Sequence, residues 1–277
     1  MTAPTAIKII KPHSERSAMD DLREILASRE LLLVLARREI AIRYRQAVIG
    51  FLWVVLQPLV STAIFTIVFM VFVRIPSDGQ PYPLFAFSGL VVWQFFSRIV
   101  VDGTGSLVAN TALITKVSFP RQIIPLVPPL AAVLDCLIAV MALMVIALAF
   151  GAHVHWTVIF VPAILLAVTF FGYSIVLWLA PLNAIYRDIG ITAPFVMQVG
   201  MYLSPIVYPA SLVPQKIRWL YQLNPVAVMV DSMRWAVLDS PPPSPGGLAL
   251  FAGLSIVLFW GGGRFFRNVE GTLVDRI

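Results

Sequence analysis

Few side chains in this sequence have the type and spacing needed for chemistry. His153 and His155 form an H-x-H pair that can ligate a metal, but no carboxylate or thiol stands beside them to complete a ligand set. They read as a solvated turn. Asp102-Gly103-Thr104-Gly105-Ser106 has two glycines yet lacks the Lys-Ser/Thr of a phosphate loop, so it reads as a turn opening a helix. Cys136 is the single cysteine, which excludes a disulfide framework or a thiolate cluster within one chain. Its neighbour Asp135 is the sharpest residue, because it lies inside an apolar run. An ionisable group there costs about 2.5–3.5 kcal/mol on insertion, so it must find a partner or water. Proton coupling would use it. A structural pair with Arg98 is the favoured reading. No matched acid, base and metal set points to catalysis, and the chain reads as no enzyme.

The elements that must position these residues are mostly apolar. Hydrophobic residues make up 59% of the 277 and charged residues 12%, about half the usual globular share, so lipid is the expected solvent. The basic residues sit beside apolar runs. This is the positive-inside pattern and excludes nucleic acid as the partner of the excess charge. The polar first fifty residues lack the compact apolar core of a signal peptide, which makes the first span an uncleaved anchor.

Residues 1–19 read as a flexible tail. Residues 20–48 read as an amphipathic helix lying at the membrane surface, opened by Asp21 and Glu24 in the manner of a capping box. Leu22, Ile25, Leu26, Leu32, Leu33, Ala36, Ile40 and Tyr44 form its apolar face, with Arg23, Glu24, Glu30, Arg37, Arg38 and Arg45 opposite. Six spans are then expected within 49–267, at about 52–73, 84–101, 130–150, 156–180, 191–208 and 248–265, leaving 268–277 as a C-terminal tail. Within 103–129 the expected order is a short helix over about 105–115, a turn, and a proline-rich re-entry. Residues 209–245, broken by Pro214, Pro225 and the PPPSP run, hold no full span and read as external re-entrant helices. The fold class is therefore an all-α integral membrane protein with an N-terminal interface helix.

Orientation follows from counting Lys and Arg. Nine lie from Lys8 to Arg45, two are Lys116 and Arg121, one is Arg187, and three are Arg264, Arg267 and Arg276. Only Arg74, Lys216, Arg218 and Arg234 fall on the other side, which puts both termini in the cytosol. Gln57, Pro58, Ser61, Thr62 and Thr66 give the first span a polar stripe, and Gln198, Gly200 and Ser204 do the same for the fifth. Such stripes avoid lipid and face helices or a cavity. Aromatic residues gather at predicted span ends, where they serve as interface belts.

Five blocks carry a resemblance. RYRQAVIGFLWVVLQPL (Arg43–Leu59), LITKVSFPRQIIPL (Leu113–Leu126), LNAIYRDI (Leu182–Ile189), YLSPIVYP (Tyr202–Pro209) and LNPVAVMVDSMRWA (Leu223–Ala236) resemble, in order, the blocks of ABC-2-type permeases that export lipid-linked polysaccharides. The similarity covers residues 29–266. It implies the membrane subunit of an exporter of O-antigen, capsule or teichoic acid in the bacterial inner membrane, and O-antigen is the leading expectation. The partners implied are a second copy of the chain, two copies of a separate ATPase, the lipid-linked glycan and membrane lipid. No cofactor is implied on this chain, since ATP and Mg belong to the ATPase. The coupling loop at 103–122 would contact that ATPase through Leu107, Asn110, Leu113, Lys116, Phe119, Pro120 and Arg121. Arg38, Arg43 and Arg45 would meet a lipid diphosphate or hold the orientation against anionic lipid. Gln57, Ser61, Thr62, Gln198, Tyr202 and Ser204 would border the translocation path. The alternative readings are a small-molecule exporter of the same superfamily and a proton-coupled carrier working through Asp135.

Overall fold

The computed structural model describes residues 23–24, 27–45, 52–77, 79–117, 119–152, 155–209, 212–214, 216, 221 and 223–276. Helix α1 (Arg29–Arg45) precedes α2 (Leu52–Phe65), which runs on as a π-helix over Thr66–Phe72. Helix α3 (Tyr82–Ala109) is followed by the short α4 (Thr111–Lys116), and a 3₁₀ turn, Arg121–Leu126, leads into α5 (Val127–Ala149). A second 3₁₀ turn, Trp156–Phe160, leads into α6 (Val161–Ile185), and then come α7 (Asp188–Leu203), α8 (Pro225–Leu238) and α9 (Pro245–Arg276). All the regular elements among the described residues are helical, and five stretches are long and apolar enough to cross a membrane.

Helix α3 is the hub. Its 28 residues reach about 42 Å, and its membrane window is 78% buried, against 11% for the α2 span and 22% for α9. Helices α2, α5, α6, α7 and α8 all pack on it. The sequence explains the closest of these contacts. A Cβ on Gly103 would stand 2.6 Å from Val176 Cγ2, and a Cβ on Gly172 would stand 2.6 Å from Ile99 Cγ2. Ile99 and Gly103 are one helical turn apart on α3, as are Gly172 and Val176 on α6, so each helix offers a branched knob to the other's glycine hole. Asp102–Ser106 therefore opens no helix. It lies inside α3, and its buried glycine sets the approach of α6.

Three further boundaries differ from expectation. The second span continues to Ala109, so the short helix of the following connection begins only at Thr111. The proline-rich re-entry is already part of the third span, which starts at Arg121: Pro128 and Pro129 sit in the first turn of α5, where a missing N–H costs nothing, and Pro125 sits in the 3₁₀ turn before it. Helix α9 stays helical to Arg276, through the residues read as a C-terminal tail. The expected fifth span corresponds to α7, whose 16 residues rise only about 24 Å. The fourteen-residue α8, inside the segment read as re-entrant, is too short to cross and packs on α3. The 1–19 tail, Asp21 and His153 lie outside the described residues.

The described residues of connections 73–81, 150–155, 204–224 and 239–244 gather at one end of the bundle with α8, and α1, α4 and the Tyr186–Arg187 turn gather at the other. These are called the α8 end and the α1 end below.

Candidate functional site

Helix α1 docks on α5 through a stripe at helical spacing: Leu32, Ala36, Ile40 and Tyr44, flanked by Leu35, Glu39 and Arg43. Leu33, read as part of the apolar face, is exposed and lies away from α5, as do Val34 and Ile42, because a 100° step carries them round to the outer side. The exposed side of α1 therefore mixes apolar residues with Arg37 and Arg38, the composition of a helix lying in an interface.

Where α1 meets α3 and α5, four charges and a phenol converge. Asp135, 4% exposed, accepts from Arg43 Nη1 at 2.7 Å on Oδ2 and from the Tyr44 hydroxyl on Oδ1. Arg98 on α3 donates to the same Oδ2. Arg43 Nη2 turns to Asp102 Oδ2 on α3 at 3.0 Å, and Glu39 stands one turn back at 3.8 Å. The carboxylate that sequence placed opposite Arg98 alone is thus shared by two guanidiniums. Two arginines against Asp102 and Asp135 make the core of the cluster neutral, the condition under which buried charges hold together. Burial first, and the Asp135 carboxylate beside it, push the Tyr44 phenol up to about 12. Arg43, read from sequence as a residue for lipid diphosphate or orientation, lies between Asp135 and Asp102, a pairing the periodicity did not give.

The remaining arginines differ. Arg38 is exposed at the rim of a cavity of about 190 Å³ that is also lined by Glu39, Asp102, Ser106 and Asn110. Arg45 is the last residue of α1, and its side chain lies outside the described residues.

The expected coupling residues divide by depth. Lys116 is exposed, whereas Leu107 is fully buried in the core and touches no surface. Asn110 donates to Ser106 O at 2.9 Å and closes α3. Leu113, Phe119 and Pro120 are half-buried. Arg121 donates to the Glu270 carbonyl, with Nε 3.8 Å from Glu270 Oε1, and ties α9 to the start of α5. Asn183, in the LNAIYRDI block, donates to Thr104 O at 3.0 Å and accepts from Gly190 N at 2.7 Å, which fixes the α6–α7 turn against α3. Tyr186, Arg187 and Asp188 stand exposed beyond that turn.

The expected path residues do not share one surface. Pro58 and Thr62 are buried, while Gln57 is exposed and Ser61 half-buried. Gln198 and Tyr202 are exposed on α7, on the face that also shows Ile191, Phe195 and Leu203. Ser204 is buried, and its hydroxyl accepts from Asn224 Nδ2 at 3.1 Å.

At the α8 end, the block 223–236 delivers Arg234, 4% exposed. Its guanidinium lies 3.5 Å over the Phe85 ring and donates to Ile206 O at 2.8 Å and Phe85 O at 3.2 Å. Sequence reasoning counted it only as an outer-side charge, although a lone arginine among Met233, Trp235 and Ala236 signals burial with partners.

Residues 30–238 match the family model described as ABC-2 type transporter. The chain is 28% identical over 258 residues to the "O-antigen export system permease protein RfbA" of Myxococcus xanthus, covering 92% of this chain and 98% of that one. A protein of the same name from Klebsiella pneumoniae is 28% identical over 206 residues, covering 74% and 79%. The "Polysialic acid transport protein KpsM" of Escherichia coli is 24% identical over 245 residues, covering 86% and 92%. With its apolar spans and a family match running from α1 through α8, this multi-pass membrane protein belongs to the ABC-2 type transporter family.

Proposed function

We propose that this chain is the permease subunit of an ATP-driven exporter that moves a polyprenyl-diphosphate-linked polysaccharide, O-antigen above all, from the cytosolic to the outer side of the inner membrane. The observation that carries this reading is the match over 98% of an O-antigen export permease, which leaves no large part of that relative without a counterpart. The match to a polysialic acid transport protein favours capsule as the second reading. Both termini lie in the cytosol in this proposal, on the basic-residue count, so the α1 end faces the cytosol.

The working unit is two copies of this chain and two copies of a separate ATPase. The exposed residues Lys116 and Val117 after α4, with Tyr186, Arg187 and Asp188 one connection away, form the docking patch for that ATPase. A push there reaches α3 through Asn110 and Asn183, and α1 follows through Arg43, since one guanidinium bonds both α3 and α5. Rigid helices moving about fixed polar joints are the usual means of transmitting such a stroke. Of Arg38 and Arg43, Arg38 is the one left exposed for a lipid diphosphate or an anionic headgroup, because Arg43 is held by two carboxylates. The exposed faces of α2 and α7, with Gln57, Gln198 and Tyr202, border the path between the two copies. Ion pairing accounts for Asp135 without proton coupling.

Deletion of the gene in its host, followed by complementation, tests the reading. Surface glycan should vanish, lipid-linked glycan should accumulate on the cytosolic side, and the wild-type gene should restore export. Unchanged surface glycan in the deletion strain would refute it.

A further inference from the structure

The α8 end holds a cavity of about 440 Å³ with both polar and apolar walls, inside the roughly 300–1,000 Å³ range of small-molecule sites. Arg234 and Phe85 contribute to its lining, with Asp231 and Tyr221, and Gln80 and the strap Asp239–Ser244 complete it. Nothing in the export stroke described above uses it.

The walls are set in advance. Arg234 is pinned by two carbonyls, and Gln80 Nε2 donates to Leu238 O at 2.9 Å, which ties the 73–81 connection to the end of α8. Asp239 caps α8 in the left-handed region at φ 54°. Pro241, Pro242 and Pro243 then hold the strap with three fixed φ angles. A cavity whose walls need no ordering on binding keeps more of its contact energy as affinity.

Charge selects the ligand. The Asp231 side chain is 37% exposed, and its ion pair with Arg234 is long, at 3.9 Å, which leaves carboxylate lone pairs free for hydroxyl donors. Burial, partly offset by Arg234, pushes the Asp231 carboxyl up. The Asp239 side chain is 69% exposed, with His155 Nδ1 3.8 Å away. Among the described lining residues two carboxylates face one guanidinium, a balance that disfavours phosphates and uronic acids. A bare divalent cation needs several converging oxygens, and no group of three such ligands occurs among the described residues. What fits is a neutral molecule rich in hydroxyl donors, with a ring face to set against the aromatic and proline wall.

We propose that this cavity binds one neutral sugar residue. The inference rests on the glycan-export reading and adds to it a sugar contact, outside the path between the two copies, on the face where the polymer emerges.

The test uses the full chain in lipid nanodiscs, titrated with glucose, galactose, mannose and glucuronate and followed by saturation-transfer NMR. At least one neutral hexose should bind saturably and glucuronate should not. Asp231→Asn with Asp239→Asn should weaken the hexose about tenfold or more, since both replaced groups are charged acceptors. Thermal unfolding checks the fold of the double variant. Should it unfold early, Asp239→Asn alone carries the test with about threefold weakening, because Asn tolerates the left-handed cap. No hexose binding, equal binding of glucuronate, or unchanged affinity in the variants would overturn the proposal. Glycan export is scored separately in cells. Export without hexose binding removes the sugar pocket alone, whereas absence of export removes the reading beneath it.

Discussion

Arg43 Nη1 donates to Asp135 Oδ2 at 2.7 Å across 92 residues of sequence, and its other terminal nitrogen reaches Asp102 at 3.0 Å. One guanidinium therefore joins an interface helix to two helices of the bundle. The forked geometry of arginine makes this possible, and a lysine has only a point charge to offer.

Removing the shared carboxylate should be costly. Asp135→Ala removes the carboxylate that Arg43 and Arg98 share and leaves Arg43 with Asp102 and Glu39 alone, and about 3–5 kcal/mol of stability should go with it. Thermal unfolding in detergent reads the loss. The reciprocal exchange Arg98→Asp with Asp135→Arg should not restore stability, because Arg43 would then meet a like charge. Full recovery in that exchange would show Arg43 to be irrelevant to the cluster.

Arg43→Lys keeps the charge but not the bridge. Backbone amides of residues 32–45 should exchange with deuterium faster than in the wild type, by about tenfold or more for the loss of one charge-assisted hydrogen bond. Unaltered protection of α1 would mean that apolar docking alone holds it.

The Tyr44 phenol titrates at about 12 instead of 10, through burial and the adjacent Asp135. The raised value favours the neutral phenol in the folded state, so its stabilisation is complete below pH 10 and is lost as pH rises through about 12. Tyrosinate absorbance in wild type minus Tyr44→Phe should show one group ionising near pH 12. Ionisation near pH 10 would remove the Asp135 contact.

Gly103→Ala places a methyl 2.6 Å from Val176 Cγ2, and overpacking of this kind costs about 1–3 kcal/mol. Adding Val176→Ala should recover most of the loss, measured as the melting temperature of single and double variants. Equal melting of the two would show that α6 is not seated on Gly103.

Lys116→Glu with Arg187→Glu changes two exposed charges at the α1 end and should leave the melting temperature within a degree or two. Export and stimulation of the partner ATPase should fall several-fold. Normal stimulation would move the docking patch elsewhere.

The sequence made the spans legible where apolar length alone decides, as in α2, α6 and α9. It misled where one residue type serves two ends. Prolines at 125, 128 and 129 look like breakers, yet two of them start α5, and only the position of the helix start separates these roles. Gly103 and Gly105 look like a turn until Val176 is known to need the space of the first. The charged cluster was half readable. Asp135 announces that it needs a partner, but a pairing 92 residues distant carries no local signal, so Arg98, on the preceding span, was found and Arg43 was not. Arg234 was hidden similarly, since an arginine near a loop counts as solvated until its carbonyl partners, Phe85 and Ile206, are seen.

The order of synthesis gives the cluster one more meaning. Arg43, Arg98 and Asp102 are all translated before Asp135, and the second of the apolar spans carries a guanidinium and a carboxylate four residues apart, with Arg43 as the partner of the carboxylate. The third span brings the missing charge. Until it arrives, Arg43 has only Asp102 on α3 to grip, and Arg98 lacks the carboxylate it bonds. The joint of α1, α3 and α5 is therefore complete only once Asp135 has been made.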